Sequence, residues 1–158
     1  GKVLDTFYDS KLSKPAFEVI SRLAELPGSN TLIAPLVRGP IAWPVVKAGR
    51  LVDPDHATES DFRPYLEHMG RLDLRLFFRM VRQAHRHDAF GRLHEIRVPT
   101  LIISASDDAF TPVWLSEKMA REIPGAEYMA LPGATHAAII ERPREINARI
   151  RRFLAERL

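Results

Sequence analysis

Val98-Pro99-Thr100-Leu101-Ile102-Ile103 is a short, uninterrupted apolar run that ends in Ser104-Ala105-Ser106-Asp107-Asp108. A run of this length suits a strand covered on both faces, as in a parallel sheet. Just beyond it, Thr111-Pro112 reads as a cap followed by proline in the first helical turn. Val113 to Ile123 then reads as a helix stopped by Pro124-Gly125, and Ala126 to Leu131 as the next strand. Pro132-Gly133-Ala134-Thr135-His136 forms a turn, and Pro143 to Leu158 a basic amphipathic helix with Ile146, Ile150, Phe153 and Leu154 on one side. Strand, helix, strand with a connection of this size predicts a right-handed parallel crossover. Two strands do not make such a sheet stable, because Leu101–Ile103 requires neighbours on both edges and one candidate is present. Another chain or an upstream half is therefore expected.

Upstream of Arg97 the pattern is mostly helical. From Pro15 to Leu26 the residues Phe17, Val19, Ile20, Leu23, Ala24 and Leu26 fall at helical spacing, with Pro15 in the first turn and Pro27-Gly28 as the stop. Leu32 to Val46 is apolar but carries Pro35, Gly39, Pro40 and Pro44, which predicts short helical pieces. A helix from Thr58 or Glu59 to Met69 follows, with Gly70 as the break. Leu72 to Ala84 shows a helical stripe in Leu72, Leu76, Met80 and Ala84, flanked by Leu74, Phe77 and Phe78. The expected division is a helical region over residues 1–96 and a strand–helix region over 97–158.

Composition excludes several classes. Among 158 residues, 23 Lys and Arg stand against 20 Asp and Glu, a formal charge of +3 spread along the chain. That is too mild an excess for a nucleic-acid partner. With 46% apolar residues the chain can build a core. The absence of cysteine removes disulfides, thiolate zinc sites and a cysteine nucleophile together. No apolar run reaches the ~18 residues of a membrane span. Cytoplasm is the default compartment. The chain opens Gly1-Lys2-Val3 without an initiator Met, so translation is expected to begin elsewhere.

Asp108 stands at the carboxyl end of the first strand, where open parallel sheets place their functional residues. His136 stands at the corresponding end of the next. Neighbouring parallel strands lie ~5 Å apart, so both side chains can meet above the sheet. A carboxylate bonded to imidazole Nδ1–H fixes the tautomer and stabilises the imidazolium once the ring takes a proton. Taken singly, Asp108 also reads as a helix cap and His136 as a loop histidine; the paired placement favours an acid–base pair awaiting a nucleophile.

The segment Val98-Pro-Thr-Leu-Ile-Ile-Ser-Ala-Ser-Asp-Asp-Ala-Phe-Thr-Pro112 resembles the seventh-strand motif of the α/β-hydrolase superfamily. In that motif the catalytic acid precedes a proline by four residues, which selects Asp108 over Asp107. Leu131-Pro-Gly-Ala-Thr-His-Ala-Ala-Ile-Ile-Glu-Arg-Pro143 resembles the family's histidine loop, with His136 as general base, and Glu141-x-Pro143 is similar to the start of its last helix. The helical part looks like the lid that many members insert after the sixth strand. The family usually has Gly where Ala105 stands, a change expected to be tolerated. Its Gly-x-Ser-x-Gly elbow and its oxyanion segment are nowhere in these residues; Ser29 and Ser104 lack the context.

The resemblance thus implies the carboxyl-terminal half of an α/β-hydrolase fold, a mainly parallel sheet completed by an amino-terminal half on a second polypeptide, made by cleavage of one precursor near Gly1. The implied activity is serine-type hydrolysis of small or medium apolar esters, with neither metal nor organic cofactor. The same pair could serve a carbon–carbon bond hydrolase, a lactonase, a perhydrolase, or an epoxide hydrolase or dehalogenase with aspartate as nucleophile. A non-catalytic ligand-binding module is the alternative from another class.

The remaining candidates are weaker. His85-Arg86-His87-Asp88 has metal-like spacing but no second cluster to complete it, and reads as a surface helix end. Arg149-Ile-Arg-Arg152 reads as a solvated helix face. The aromatic residues Phe7, Tyr8, Phe17, Trp43, Phe62, Tyr65, Phe77 and Phe78 exceed what short helices need for mutual packing. Of these, Trp43 and Phe78 are expected to line an apolar substrate pocket, flanked by Phe110 and Val113 beyond Asp108 and by Ala137 and Ala138 beyond His136.

Overall fold

The computed structural model describes residues 10–157, so Phe7 and Tyr8 lie outside the described residues. Five helices come first: α1 (Ser10–Ala24), α2 (Ser29–Arg38), α3 (Ala42–Ala48), α4 (Glu59–Met69) and α5 (Leu74–Arg86). A 3-10 segment, Phe90–Glu95, leads into β1 (Leu101–Ala105), α6 (Val113–Glu122), β2 (Glu127–Leu131), α7 (Ala138–Glu141) and α8 (Pro143–Arg157).

The breaks fall where local chemistry demands. Gly39-Pro40 separates α2 from α3, as the proline density predicts. Pro35 nonetheless lies inside α2, and Pro15 lies inside α1 rather than in its first turn. Each costs its helix one backbone bond without ending it. Thr58 starts α4 with a capping box: its hydroxyl accepts from Asp61 N–H, and the Asp61 carboxylate accepts from Thr58 N–H. Gly70 follows α4 as its last cap residue, and a Cβ there would come within 2.5 Å of Arg38 Cγ.

The helix expected over Leu72 to Ala84 forms as α5, and within its stripe Leu76 is 53% and Met80 63% exposed. The half-buried side is Leu74, Phe77, Phe78 and Val81, with α5 packed on α1. The helix is apolar over a wide sector, and only its neighbour decides which part turns inward. Thr111, expected as a helix cap, caps nothing; Pro112 precedes α6 and the Thr111 hydroxyl turns to Asp108 instead. The 3-10 segment and α7 are elements that periodicity did not announce.

β1 and β2 pair in parallel, in register from Leu101 opposite Glu127 to Ala105 opposite Leu131. Bonds from Glu127 N to Thr100 O (2.9 Å) and from Ser106 N to Leu131 O (3.0 Å) extend the ladder at both ends. α6 packs on both strands and α8 on β1.

Three apolar clusters form the interior. Ala105, Leu131, Ala134 and Ile146 join the strand ends to α8. Leu93, Ile102 and Ile123 join the 3-10 segment and the end of α6 to β1. Ala42, Val46, Val52, Ala57, Phe62 and Leu66 make the helical cluster, and Ala137 is part of it. The residue after His136 is therefore a seam between the helical region and the strand ends.

Candidate active site

The two loops that leave the carboxyl ends of β1 and β2 are tied together before any functional side chain is considered. Gly133 N donates to Ser106 Oγ (2.7 Å) and Asp107 N to Ala134 O (2.9 Å). Gly133 adopts φ +72°, a left-handed conformation that glycine enters without steric cost. Asp107 spends its carboxylate on the Ser106 hydroxyl (2.7 Å), and Asp108 is the one that turns to His136.

Asp108 is held from its own loop. Phe110 N–H (2.7 Å) and Thr111 N–H (3.0 Å) donate to Oδ1, and the Thr111 hydroxyl donates to Oδ2. His136 Nδ1 lies 2.9 Å from Oδ2 and 3.1 Å from Oδ1. Burial opposes ionisation of Asp108, whose side chain is 9% exposed. The hydrogen bonds from His136, the Thr111 side chain and the Thr111 and Phe110 backbone outweigh it, and hold the carboxyl at about 2. The bond to Asp108 raises His136 above its ordinary value against an opposing desolvation. With Nδ1 turned to the carboxylate and half the side chain exposed, Nε2 is the ring nitrogen available to a second molecule. The arrangement can accept a proton at Nε2 and stabilise the resulting imidazolium.

The other expected site residues divide into two groups. The Phe110 ring lies 4.7 Å from the imidazole, tilted by 57°. Ala137 and Trp43 share the helical cluster, where the Trp43 ring lies 6.1 Å from Phe62 and Lys47 Nζ lies 5.7 Å from its centroid. Val113 is half-buried at the start of α6, five residues on from the aspartate in the same loop-to-helix passage. Phe78 stands apart, on α5 with its ring edge-on to Phe77 and outside the cluster that holds Trp43 and Ala137.

Two features of the site were missed by sequence reasoning. Thr111 bonds the acid where a cap is expected, although an Asp with Thr three residues on is a spacing at which local side-chain bonds form. Glu141, expected only at the start of the last helix, is 5% exposed and bonded to Thr135. Among the described residues, no three His, Cys, Asp or Glu converge as a metal-binding group. The Asp88 carboxylate accepts from Phe90 N–H (3.0 Å). No helix among them is long and apolar enough to cross a membrane.

Comparison with known proteins gives this geometry a family. Residues 79–157, half of the chain, match the α/β-hydrolase family model described as TAP-like protein. The "Putative carbamate hydrolase RutD" of Rhizobium rhizogenes is 28% identical over 144 residues, covering 89% of this chain and 51% of that protein. A bromoperoxidase from Bacillus anthracis superposes with a TM-score of 0.66 at 18% identity, over 89% of this chain and 49% of its own. MenH from S. aureus does so with a TM-score of 0.63 at 18% identity, over 91% and 52%. The chain thus spans about half the length of these relatives. At such identities the two structures speak for the fold alone, a partial α/β-hydrolase fold with a small parallel sheet. On the family match and that shared fold, the chain belongs to the α/β-hydrolase superfamily.

Proposed function

We propose that this chain carries the acid and base of a serine-type hydrolase acting on small or medium apolar esters. The serine would come from the amino-terminal half of the fold, outside these 158 residues. The observation that carries the reading is the contact of His136 Nδ1 with an Asp108 carboxylate that three further donors hold ionised. His136 Nε2 takes the serine proton as Oγ attacks the ester carbonyl carbon, then returns it to the leaving alkoxide. Water, deprotonated by the same nitrogen, attacks the acyl-enzyme, and the serine leaves with that proton. Asp108 keeps the ring in the productive tautomer and offsets its positive charge.

Helices α1 to α5 serve as the lid over residues 1–96. Trp43, Phe78, Phe110, Val113 and Ala137 are the proposed substrate contacts, with Phe110 supported by its distance from the imidazole. A second reading, carbamate in place of ester, is supported by the name of the relative that matches 89% of this chain. The same pair serves it, because a carbamate carbonyl is attacked and its leaving group protonated in the same way.

Native mass spectrometry of the purified protein, followed by denaturing mass analysis, is the test. A second polypeptide of similar size, or one longer chain, bearing an elbow serine that a fluorophosphonate labels, is the expected result. Material with no such nucleophile, and no hydrolysis of p-nitrophenyl esters, rejects the enzyme and leaves a binding module.

A further inference from the structure

Glu141 is a carboxyl group in an interior position, 5% exposed, and three donors reach it. Asp53 N–H (2.8 Å) and the Thr135 hydroxyl donate to Oε1, and Thr135 N–H (2.8 Å) donates to Oε2. Burying a carboxyl group is costly unless its oxygens are bonded in this way. These donors come from two segments far apart in sequence. Asp53 lies between α3 and α4, in the helical region, whereas Thr135 is the residue immediately before His136.

The network then reaches the other side of the histidine. Thr135 Oγ1 accepts from Ala137 N–H at 3.2 Å, and it lies 3.2 Å from Leu51 O, a second acceptor for the same hydroxyl proton. Thr135 and Ala137 are both buried, as is Ala134, while the His136 side chain between them is half exposed. Both peptide neighbours of the imidazole are therefore anchored through one carboxyl group. That group is also bonded to the chain leading into α4.

We propose that Glu141 is a positioning residue for His136, which clamps the histidine loop to residues 51–53 and so couples the setting of the helical region to the placement of the imidazole against Asp108. The proposal rests on the reading of His136 as the base. It predicts that loosening the clamp lets the imidazole drift from the carboxylate, and small displacements of a reacting group are costly in rate.

The test uses the assembled enzyme, this chain together with the part bearing the nucleophile. Glu141→Gln keeps the shape but turns an amide NH2 toward a backbone N–H. Thr135→Val removes the hydroxyl, and Thr135→Ser restores it. Two readouts are taken: the NMR titration of the His136 imidazole, and kcat and KM separately. The expected result is a His136 titration moved down toward its ordinary value in Glu141→Gln and Thr135→Val. In the same variants kcat falls by about tenfold or more, KM stays within about twofold, and Thr135→Ser lies near the wild type. A lowered Tm with the titration and kcat unchanged would mean that Glu141 is structural only, and overturns the proposal. If Glu141→Gln does not fold, the Thr135 pair decides alone. Should His136→Ala retain full turnover, the proposed function falls, and the imidazole titration still reports on Glu141.

Discussion

The loops at the strand ends and the outer faces of the helical region are built on opposite plans. Between Ala105 and Thr111, and between Leu131 and Glu141, donors and acceptors find partners within a few residues, across the two loops, or on residues 51–53. The helices present apolar side chains outward: Val19 is 57% exposed on α1, Leu32 75% on α2, Val45 60% on α3 and Met80 63% on α5. Burying one such side chain is worth about 1.5–3 kcal/mol, which these faces do not collect in the described chain. Directional bonding in a small volume can hold an acid–base pair with only two strands beneath it. Apolar cover is different, because it must be supplied by whole surfaces. The half of the fold proposed to carry the serine would provide such surfaces, and the comparison can be pressed from either side.

The largest effect is expected at the bonded site. His136→Ala in the assembled enzyme should lower turnover of an ester substrate by about 10⁶-fold, with the fold intact by circular dichroism. Retention of activity would remove the site from the chemistry altogether.

Asp108→Ala should cost less, about 10⁴-fold, and should also move the pH profile. In the wild type the acidic limb of kcat/KM reports a His136 whose titration lies above its usual 6.5 because Asp108 bonds it. Without the carboxylate the limb should shift downward. Stability carries the same signature. A raised histidine contributes stability that is complete below about pH 6.5 and lost as pH rises through the folded-state value. Asp108, held at about 2, gives its own contribution up only as pH falls through that range. Thermal melts from pH 5 to 9 should therefore decline toward the alkaline side in the wild type, and decline less in Asp108→Ala.

A packing variant probes the seam. Phe62 is 4% exposed in the cluster that includes Ala137, and Phe62→Ala should cost about 3–5 kcal/mol in denaturant unfolding of the assembled enzyme. Because the bonds of Glu141 and Thr135 to residues 51–53 do not involve Phe62, the His136 titration should stay in place while those bonds hold. A shifted titration would show that apolar packing, and not bonding alone, sets the imidazole.

The smallest effect is expected on the open faces. Leu32→Lys should change stability of the isolated chain by no more than about 0.5 kcal/mol, because little is buried there to lose. It should nonetheless reduce aggregation measured by light scattering. The isolated chain itself should melt broadly, and a sharp cooperative transition would show that the exposed faces need no cover.

Much of this arrangement is legible in the residues, for local reasons. Strand, helix and strand after Arg97 follow from a short apolar run, a proline before Val113 and the Pro124-Gly125 stop, all interactions between near neighbours. A start at Thr58 or Glu59 follows for the same reason, as does the break at Gly39-Pro40 after α2. The meeting of Asp108 with His136 follows once the two strands are parallel and adjacent. Three things were decided only by tertiary packing. Periodicity marked α5 as amphipathic, but α1 chose which sector it buries. Thr111 had a cap and a carboxylate within reach, and the approach of His136 to Asp108 belongs to the geometry in which it takes the carboxylate. Glu141 accepts from Asp53, 88 residues away, and no local pattern encodes a bond between segments that only the folded chain brings together.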